Sequence, residues 1–395
     1  MVIARARAVH YSTPIITPEM QAAVVEALLT ADPYILSERT KAFERDFAAL
    51  VGAEHGVAVS SGTAALHLAL LGAGIGAGDE VIVPANAYPP VADCVRLIGA
   101  IPVLADVDER TGCLDPALVA PVLTNRTRAI VPLHMYGHPA DLDPMLSLAR
   151  EHGLLVIEDG AHALGSRYKG RPTGALGDVG IFSTGRKHIT TGGIGGMVTT
   201  NDADVAERVR LLRNHGRSER QQQDLRVMDS VEMLGFNYRQ SEILATLGQL
   251  QLQHLPAWNE ERRAHAAIYR TRLADARLST PRSALRDSPV RPLEEMPWAF
   301  HSYLHFAIRA ERRDDLAEFL TRNGVETHFI YPVPVHRQRL HAGHVRVPTQ
   351  GLPVSERITA EILTLPTRPG LAAEDIDYVC EQIEAFYRGG EHARN

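Results

Sequence analysis

The sequence predicts an α/β protein built on a largely parallel sheet with helices on both faces. Two observations carry that expectation. From about residue 52 to 200, short β-branched runs alternate with helix-length amphipathic stretches, the pattern of strand–helix–strand units. After a Pro/Arg-rich connector at 279–297, the segments HSYLHFAIR and RDDLAEFLTRNG restart that pattern and mark a smaller second α/β domain. At 395 residues the chain exceeds one average domain and can bury a large core without cross-links.

The elements follow in order. TPEMQAAVVEALLT opens with Thr17 as a helix N-cap and Glu19 in the first turn, and Asp32-Pro33 interrupts it. SERTKAFERDFAALVG carries Phe43, Phe47 and Leu50 at helical spacing and stops at Gly52. The expected strands are GVAVSS, EVIVPA, IPVLADVD, AIVPLHMYG, LLVIEDG, VGIFST and GMVTTN, with TAALHLALLGAG and PMLSLAREHG among the helices between them. Arg208, Arg210 and Arg213 read as the solvated face of a helix. Residues 217–231 are polar and predict a mobile loop, and SEILATLGQLQLQHLPAWNEERRAHAAIYRTRLADA predicts a long helix with a bend at Pro256. The expected division is 15–250 for the large domain and 251–395 for the smaller one, with residues 1–14 packing near the latter.

Composition narrows the function. Lys+Arg 41 against Asp+Glu 47 gives a net charge of −6, which speaks against a dedicated nucleic-acid binder. Hydrophobic content of 45% with 22% charge is that of a packed globular protein. Cys94, Cys113 and Cys380 are too few and too scattered for a disulfide framework or a metal knuckle, so no metal is expected. No apolar run approaches the roughly 20 residues a membrane helix needs. No apolar leader core follows the arginines of MVIARARAVHYST, so a soluble, cytoplasmic protein is expected.

Four signals sit at ends of expected strands, where open α/β sheets place their ligands. Ser60-Ser61-Gly62-Thr63-Ala64-Ala65-Leu66 runs from a strand end into a helix. Its free N–H groups suit a phosphate, although an ordinary N-cap reads the same way. It lacks the glycine spacing and lysine of an ATP-binding P-loop. Tyr88 in VIVPANAYPP can stack on a planar ring or simply pack. In Val156-Ile157-Glu158-Asp159-Gly160-Ala161-His162 the two acids must face opposite sides of the strand. Asp159 is either a satisfied structural acid or the partner of a cationic ring nitrogen, with His162 able to reach the same ligand. The last signal is Phe182-Ser183-Thr184-Gly185-Arg186-Lys187-His188-Ile189-Thr190-Thr191-Gly192-Gly193-Ile194-Gly195-Gly196. It places a lysine in a Gly/Ser/Thr-rich loop, a setting in which a desolvated amine becomes a Schiff-base nucleophile. Jointly, a phosphate nest, a stacking aromatic, an acid and a loop lysine 28 residues later are the parts of a pyridoxal-phosphate enzyme.

With those motifs, and with GDEVIVPANAYPP, VPLHMYGHPADLDP, VIEDGAHALGSRYKG, KHITTGGIGG, LLRNHG, GFNYRQSEILATLGQLQ and LPTRPGL in this order, the sequence resembles the DegT-type (StrS-like) sugar aminotransferases. These are fold-type I pyridoxal-phosphate enzymes. The resemblance implies a large domain with a mostly parallel mixed sheet and a smaller C-terminal α/β domain. It implies pyridoxal 5'-phosphate held covalently by Lys187, with Asp159 on its ring nitrogen. Gly62, Thr63 and Ser183 would bind its phosphate, Tyr88 would stack on its ring, and His162 would stand where many relatives carry Gln. Asn237 would reach the phosphate of a neighbouring subunit in a homodimer with shared active sites. His301, Tyr331, His336 and Arg239 match positions near the substrate cleft, and each also reads as structural. The implied reaction moves an amino group from L-glutamate or L-glutamine to a ketosugar or keto-cyclitol, in amino-sugar, antibiotic or surface-glycan biosynthesis.

One departure stands out. Relatives read K-N-L-T-T-G-E-G-G, whereas here a residue is added and the Glu is missing. Aligning back from Gly195-Gly196 puts His188 at the cofactor position, as in dehydratase relatives, but the K-x-I-T-T-G register favours Lys187. A dehydratase or lyase is therefore the alternative enzyme, and a non-catalytic regulatory paralogue the alternative class.

Overall fold

The computed structural model describes residues 7–30, 37–185, 194–218, 221, 231, 233–275 and 288–389. The loop at 217–231 and the lysine loop at 186–193 fall largely or wholly outside the described residues.

Helix α1 (Pro18–Thr30) starts where Thr17 Oγ1 accepts the Met20 N–H. Helix α2 (Glu38–Val51) is capped by Ser37 and ends at Gly52, whose φ of 75° closes the last turn. The alternating region then supplies β1 (His55–Val59), α3 (Gly62–Gly72), β2 (Glu80–Pro84), α4 (Pro89–Leu97), β3 (Ile101–Ala105), β4 (Thr127–Ile130), α5 (Leu142–His152), β5 (Leu155–Asp159), two short strands β6 (Arg167–Tyr168) and β7 (Arg171–Pro172), β8 (Val179–Ser183), β9 (Gly196–Thr200) and α6 (Ala203–Arg213). The main sheet has seven strands in the order β1-β9-β8-β5-β4-β2-β3. The pairs β8–β5, β5–β4, β4–β2 and β2–β3 are parallel, and β9 is antiparallel to both of its neighbours. The expected mostly parallel mixed sheet is present. Its strands are buried along most of their length, with the exposed Arg128 of β4 an exception, because both faces are covered.

Helix α7 (Glu242–Asp275) is 34 residues long and contains Pro256. Beyond it lie β10 (Val290–Pro292), β11 (Ala299–Phe300), β12 (Phe306–Ala310), α8 (Arg313–Arg322), α9 (Pro353–Glu361), β13 (Ile362–Leu365) and α10 (Ala373–Gly389), with β10-β12-β13 forming a second sheet. That sheet packs on Ala266, Tyr269 and Leu273 of α7 and on Val9. Val9 is tied to Gly324 and Glu326 by backbone hydrogen bonds of 2.8 and 3.0 Å. The main core also takes in Ile330, Val335, Leu352, Ile358 and Ile362, so the C-terminal half closes directly over the sheet.

One expectation about α6 fails. Arg208 is exposed, but Arg213 is fully buried: its Nη1 donates to Glu44 Oε1 and, at 2.6 Å, to the Ala58 carbonyl. Arg213 lies four and seven residues beyond the buried Val209 and Ala206, hence on the packed face of the helix. A buried guanidinium is tolerable because a carboxylate and a carbonyl meet it.

Candidate active site

The carboxyl ends of β1, β2, β5 and β8 converge on a cavity of about 610 Å³. Chain order brings each functional side chain there. Past β1, Ser61 caps α3 by accepting the Ala64 N–H at 3.0 Å. The N–H groups of Gly62 and Thr63 are then left at the helix start, where the dipole favours an anion. Gly62 must be glycine for a steric reason, since a Cβ there would stand 2.9 Å from Ser183 Cβ. Gly196 is similarly pressed, with a hypothetical Cβ 2.3 Å from the Ser61 carbonyl oxygen. Three segments of the chain thus meet closely at the start of α3, where the free N–H groups suit an anion such as phosphate.

Strand β5 delivers two carboxylates to opposite sides, as alternation requires. Glu158 faces away from the cavity and accepts His134 Nε2 at 3.0 Å and the N–H groups of Gly174, Leu176 and Gly177 at 2.9, 2.7 and 2.7 Å. Burial opposes its charge, but the His134 and backbone donors prevail and hold the carboxyl below its ordinary range. Asp159 lines the cavity, 3% exposed, and accepts one side-chain hydrogen bond, from Ala161 N–H at 3.0 Å. Burial pushes it up to about 6, with Ala161 and His134 offsetting part of the effect. A buried carboxylate with one partner is a site for a cation, and a protonated pyridine nitrogen is such a cation.

Tyr88 precedes Pro89 and Pro90 at the start of α4, is 49% exposed, and lies 5.1 Å from the Tyr331 ring. Its ring is therefore available to cover a planar group. His162 sits between the backbone N–H of Tyr136 and the hydroxyl of Tyr331, at 3.4 and 3.0 Å. Ser183 ends β8 at the cavity. Lys187 lies outside the described residues, but Gly185 and Ile194, on either side of its loop, both line this cavity. The donor set and the cradle together fit pyridoxal phosphate.

The structure does not bring every candidate to this cavity. Asn237 is exposed, sits off the cavity of its own chain, and accepts Arg239 Nη2 at 2.6 Å. Arg239 also donates to Asn214 Oδ1 at 2.9 Å. His301 stacks on Tyr303 with centroids 3.8 Å apart, and His336 bonds Glu356 at 2.8 Å; neither lines the cavity. Tyr331 does. Apolar walls went unread in the sequence: Leu133, Ile181 and Leu304 line the cavity. Ile181 was legible from its place two residues before Ser183 on one strand face. Leu304 had no local signal. Among the described residues, no group of three or more His, Cys, Asp or Glu could hold a metal, and no helix is long and apolar enough to cross a membrane.

Fold and cavity together define a fold-type I pyridoxal-phosphate enzyme. Residues 14–384 match the model of the DegT/DnrJ/EryC1/StrS aminotransferase family, and the chain belongs to that family. It is a pyridoxal-phosphate-dependent aminotransferase of amino-sugar biosynthesis. It is 40% identical over 368 residues, 92% of either chain, to dTDP-3-amino-3,4,6-trideoxy-alpha-D-glucose transaminase of Streptomyces venezuelae. It is 37% identical to a "pleiotropic regulatory protein" of Geobacillus stearothermophilus, over 92% of this chain and 94% of that one. The crystal structure of S. venezuelae DesV with a ketimine intermediate superposes with a TM-score of 0.85 at 37% identity, covering 95% of this chain and 99% of that one.

Proposed function

We propose that the enzyme transfers the amino group of L-glutamate or L-glutamine to a nucleotide-linked ketosugar, in a homodimer whose two sites are each built from both chains. The observation that carries the site assignment is the convergence of the α3 start, Asp159, Ser183 and both flanks of the 186–193 loop on one cavity. The sugar reading draws support from the S. venezuelae transaminase, whose name specifies a dTDP-linked amino sugar.

Pyridoxal phosphate supplies an aldehyde that exchanges with amines and a ring that withdraws electrons. Gly62 and Thr63 N–H and the Ser183 hydroxyl would hold its phosphate. Asp159 would keep the ring nitrogen protonated, and Tyr88 would cover one ring face. Lys187 Nζ would hold the cofactor covalently and, once displaced by a substrate amine, move the proton at the reacting carbon. Asn237, exposed and off its own cavity, would complete the phosphate cradle of the partner. The division near residue 250, within α7, is proposed on the same footing.

Borohydride reduction followed by peptide mass spectrometry tests the centre of this reading. The expected result is a cofactor adduct on Lys187, with release of 2-oxoglutarate when unreduced holoenzyme meets L-glutamate. An adduct elsewhere, or none, overturns the lysine assignment. Mixing inactive Lys187→Ala and Asn237→Asp chains tests the shared sites. About a quarter of wild-type activity should return, because half the dimers of a random mixture carry one intact site. No recovery after verified subunit exchange overturns the two-chain site.

A further inference from the structure

Residues 331–346 run from the cavity, where Tyr331 stands, past α4 to the edge strand β3 of the main sheet. Backbone hydrogen bonds pin this strap at two places. Near its start, Val335 N–H donates to the Ala85 carbonyl at 2.8 Å. At its end, Arg346 donates to the Pro102 carbonyl and accepts from Leu104 N–H, at 2.8 and 2.9 Å.

Between these points His341 is fully buried against α4. Pro89, Asp93 and Arg96 stand at i, i+4 and i+7, so they share one face of that helix. His341 meets all three. Arg96 Nη1 can only donate, and it gives hydrogens to the Leu340 carbonyl at 2.6 Å and to His341 Nδ1 at 3.3 Å. Burial holds the His341 ring below its ordinary pKa against the pull of Asp93, so it is neutral at pH 7. Its hydrogen is then on Nε2, a tautomer assigned from this network. Nε2 lies 3.2 Å from Asp93 Oδ1, with the Pro89 carbonyl as a second acceptor, although neither is well aligned with it.

The stretch held in this way carries Tyr88. On one side of it Ala85 is bound to the strap through Val335, and on the other the Pro89–Asp93–Arg96 face is bound through His341 and Leu340. The half-exposed Tyr88 makes no side-chain bond at the helix cap, and its ring lies 5.1 Å from that of Tyr331. The backbone at the start of α4 therefore aims the ring.

We propose that His341 is a positioning residue for Tyr88: by seating α4 on the strap, it fixes the ring that covers the cofactor. The inference rests on the reading that Tyr88 covers one face of pyridoxal phosphate. Asp159 ends β5 and Ser183 ends β8, so neither depends on α4 for its place. The effect of losing His341 should fall on the ring cover.

Equilibrium dialysis of pyridoxal phosphate against the full chain, with visible circular dichroism of the bound cofactor, tests this. Tyr88→Ala should weaken retention about tenfold, the scale of one aromatic contact. His341→Phe keeps a ring of similar size and removes both polar atoms. It should weaken retention about threefold, a fraction of the Tyr88 effect, and reduce the cofactor's dichroism. In the Tyr88→Ala background it should change neither quantity, since no ring is left to place. Losses that multiply in the double variant overturn the inference alone, as do wild-type retention and dichroism in His341→Phe. Should His341→Phe fail to fold, Asp93→Ala, at a part-exposed position, carries the same cycle with the same outcomes. Unchanged retention in Tyr88→Ala overturns the covering role of Tyr88 and takes this inference with it.

Discussion

On the rear face of β5, Glu158 is met by an imidazole and three backbone amides; on the front face, Asp159 is met by one amide. Both side chains are buried. Burial penalises both charges, yet the rear carboxyl sits below its ordinary range and the front one is raised to about 6. The difference lies in the supply of donors. A site that finishes its hydrogen bonds internally holds the fold together, and a site that leaves them open is prepared for a ligand.

The largest effect should come from breaking the rear site. His134 Nδ1 accepts the Ala140 N–H at 3.0 Å, so its Nε2 must carry the hydrogen that Glu158 receives. In Glu158→Gln an NH₂ would confront N–H donors at one end or the other. Chemical denaturation should show a loss of about 3–5 kcal/mol, as for a buried charge partner removed. A loss below 1 kcal/mol would mean that Glu158 is not a keystone of the fold.

Asp159→Asn should act in the opposite sense on the cofactor-free protein. A carboxyl raised from 3.8 to about 6 in the fold adds nothing unfavourable below pH 4. It costs progressively more stability as pH rises through 4 to 6, reaching about 3 kcal/mol. Denaturation of the cofactor-free protein across pH 4 to 7.5 should therefore show the variant gaining on wild type as pH rises. The depressed Glu158 acts conversely, contributing stability above about 4.5 and losing it as pH falls through its lower folded value. The holoenzyme should meanwhile lose about 10²–10³ in rate in Asp159→Asn, the scale of a lost charge-assisted contact. Near-full activity would reassign the ring-nitrogen partner.

The smallest effect should come from the cradle. Gly62→Ala must displace Ser183, whose Cβ would be 2.9 Å away, at a cost of about 1–3 kcal/mol for overpacking. Equilibrium dialysis should show the loss chiefly as weakened cofactor retention. Unchanged retention would mean that Gly62 does not frame the phosphate.

How much of this was legible varies residue by residue. The opposition of Glu158 and Asp159 follows from strand periodicity alone, and the helix ends at Thr17 and Gly52 from capping chemistry alone. Arg213 was misread because three arginines in one segment suggest a charged surface, although its spacing from Ala206 and Val209 placed it inside. His301 and His336 matched cleft positions yet turn to Tyr303 and Glu356 instead. Tyr11 and His305 carried no signal, being 294 residues apart in the chain and joined only by the fold.

The amino-acid sequence by itself determined the strand and helix order, the exposure of the parallel strand ends and the identity of the α3 cradle, because these depend on backbone periodicity and on residues a few positions apart. Tertiary structure alone decided which carboxylate would be saturated and which left open, since Gly174, Leu176, Gly177 and His134 reach Glu158 from other segments of the chain. It also decided that Tyr331 and His162, 169 residues apart, would share a hydrogen at the wall of the cavity. Burial and hydrogen-bond supply are properties of neighbours in space, and long-range neighbours are set only when the sheet and the C-terminal half close on each other.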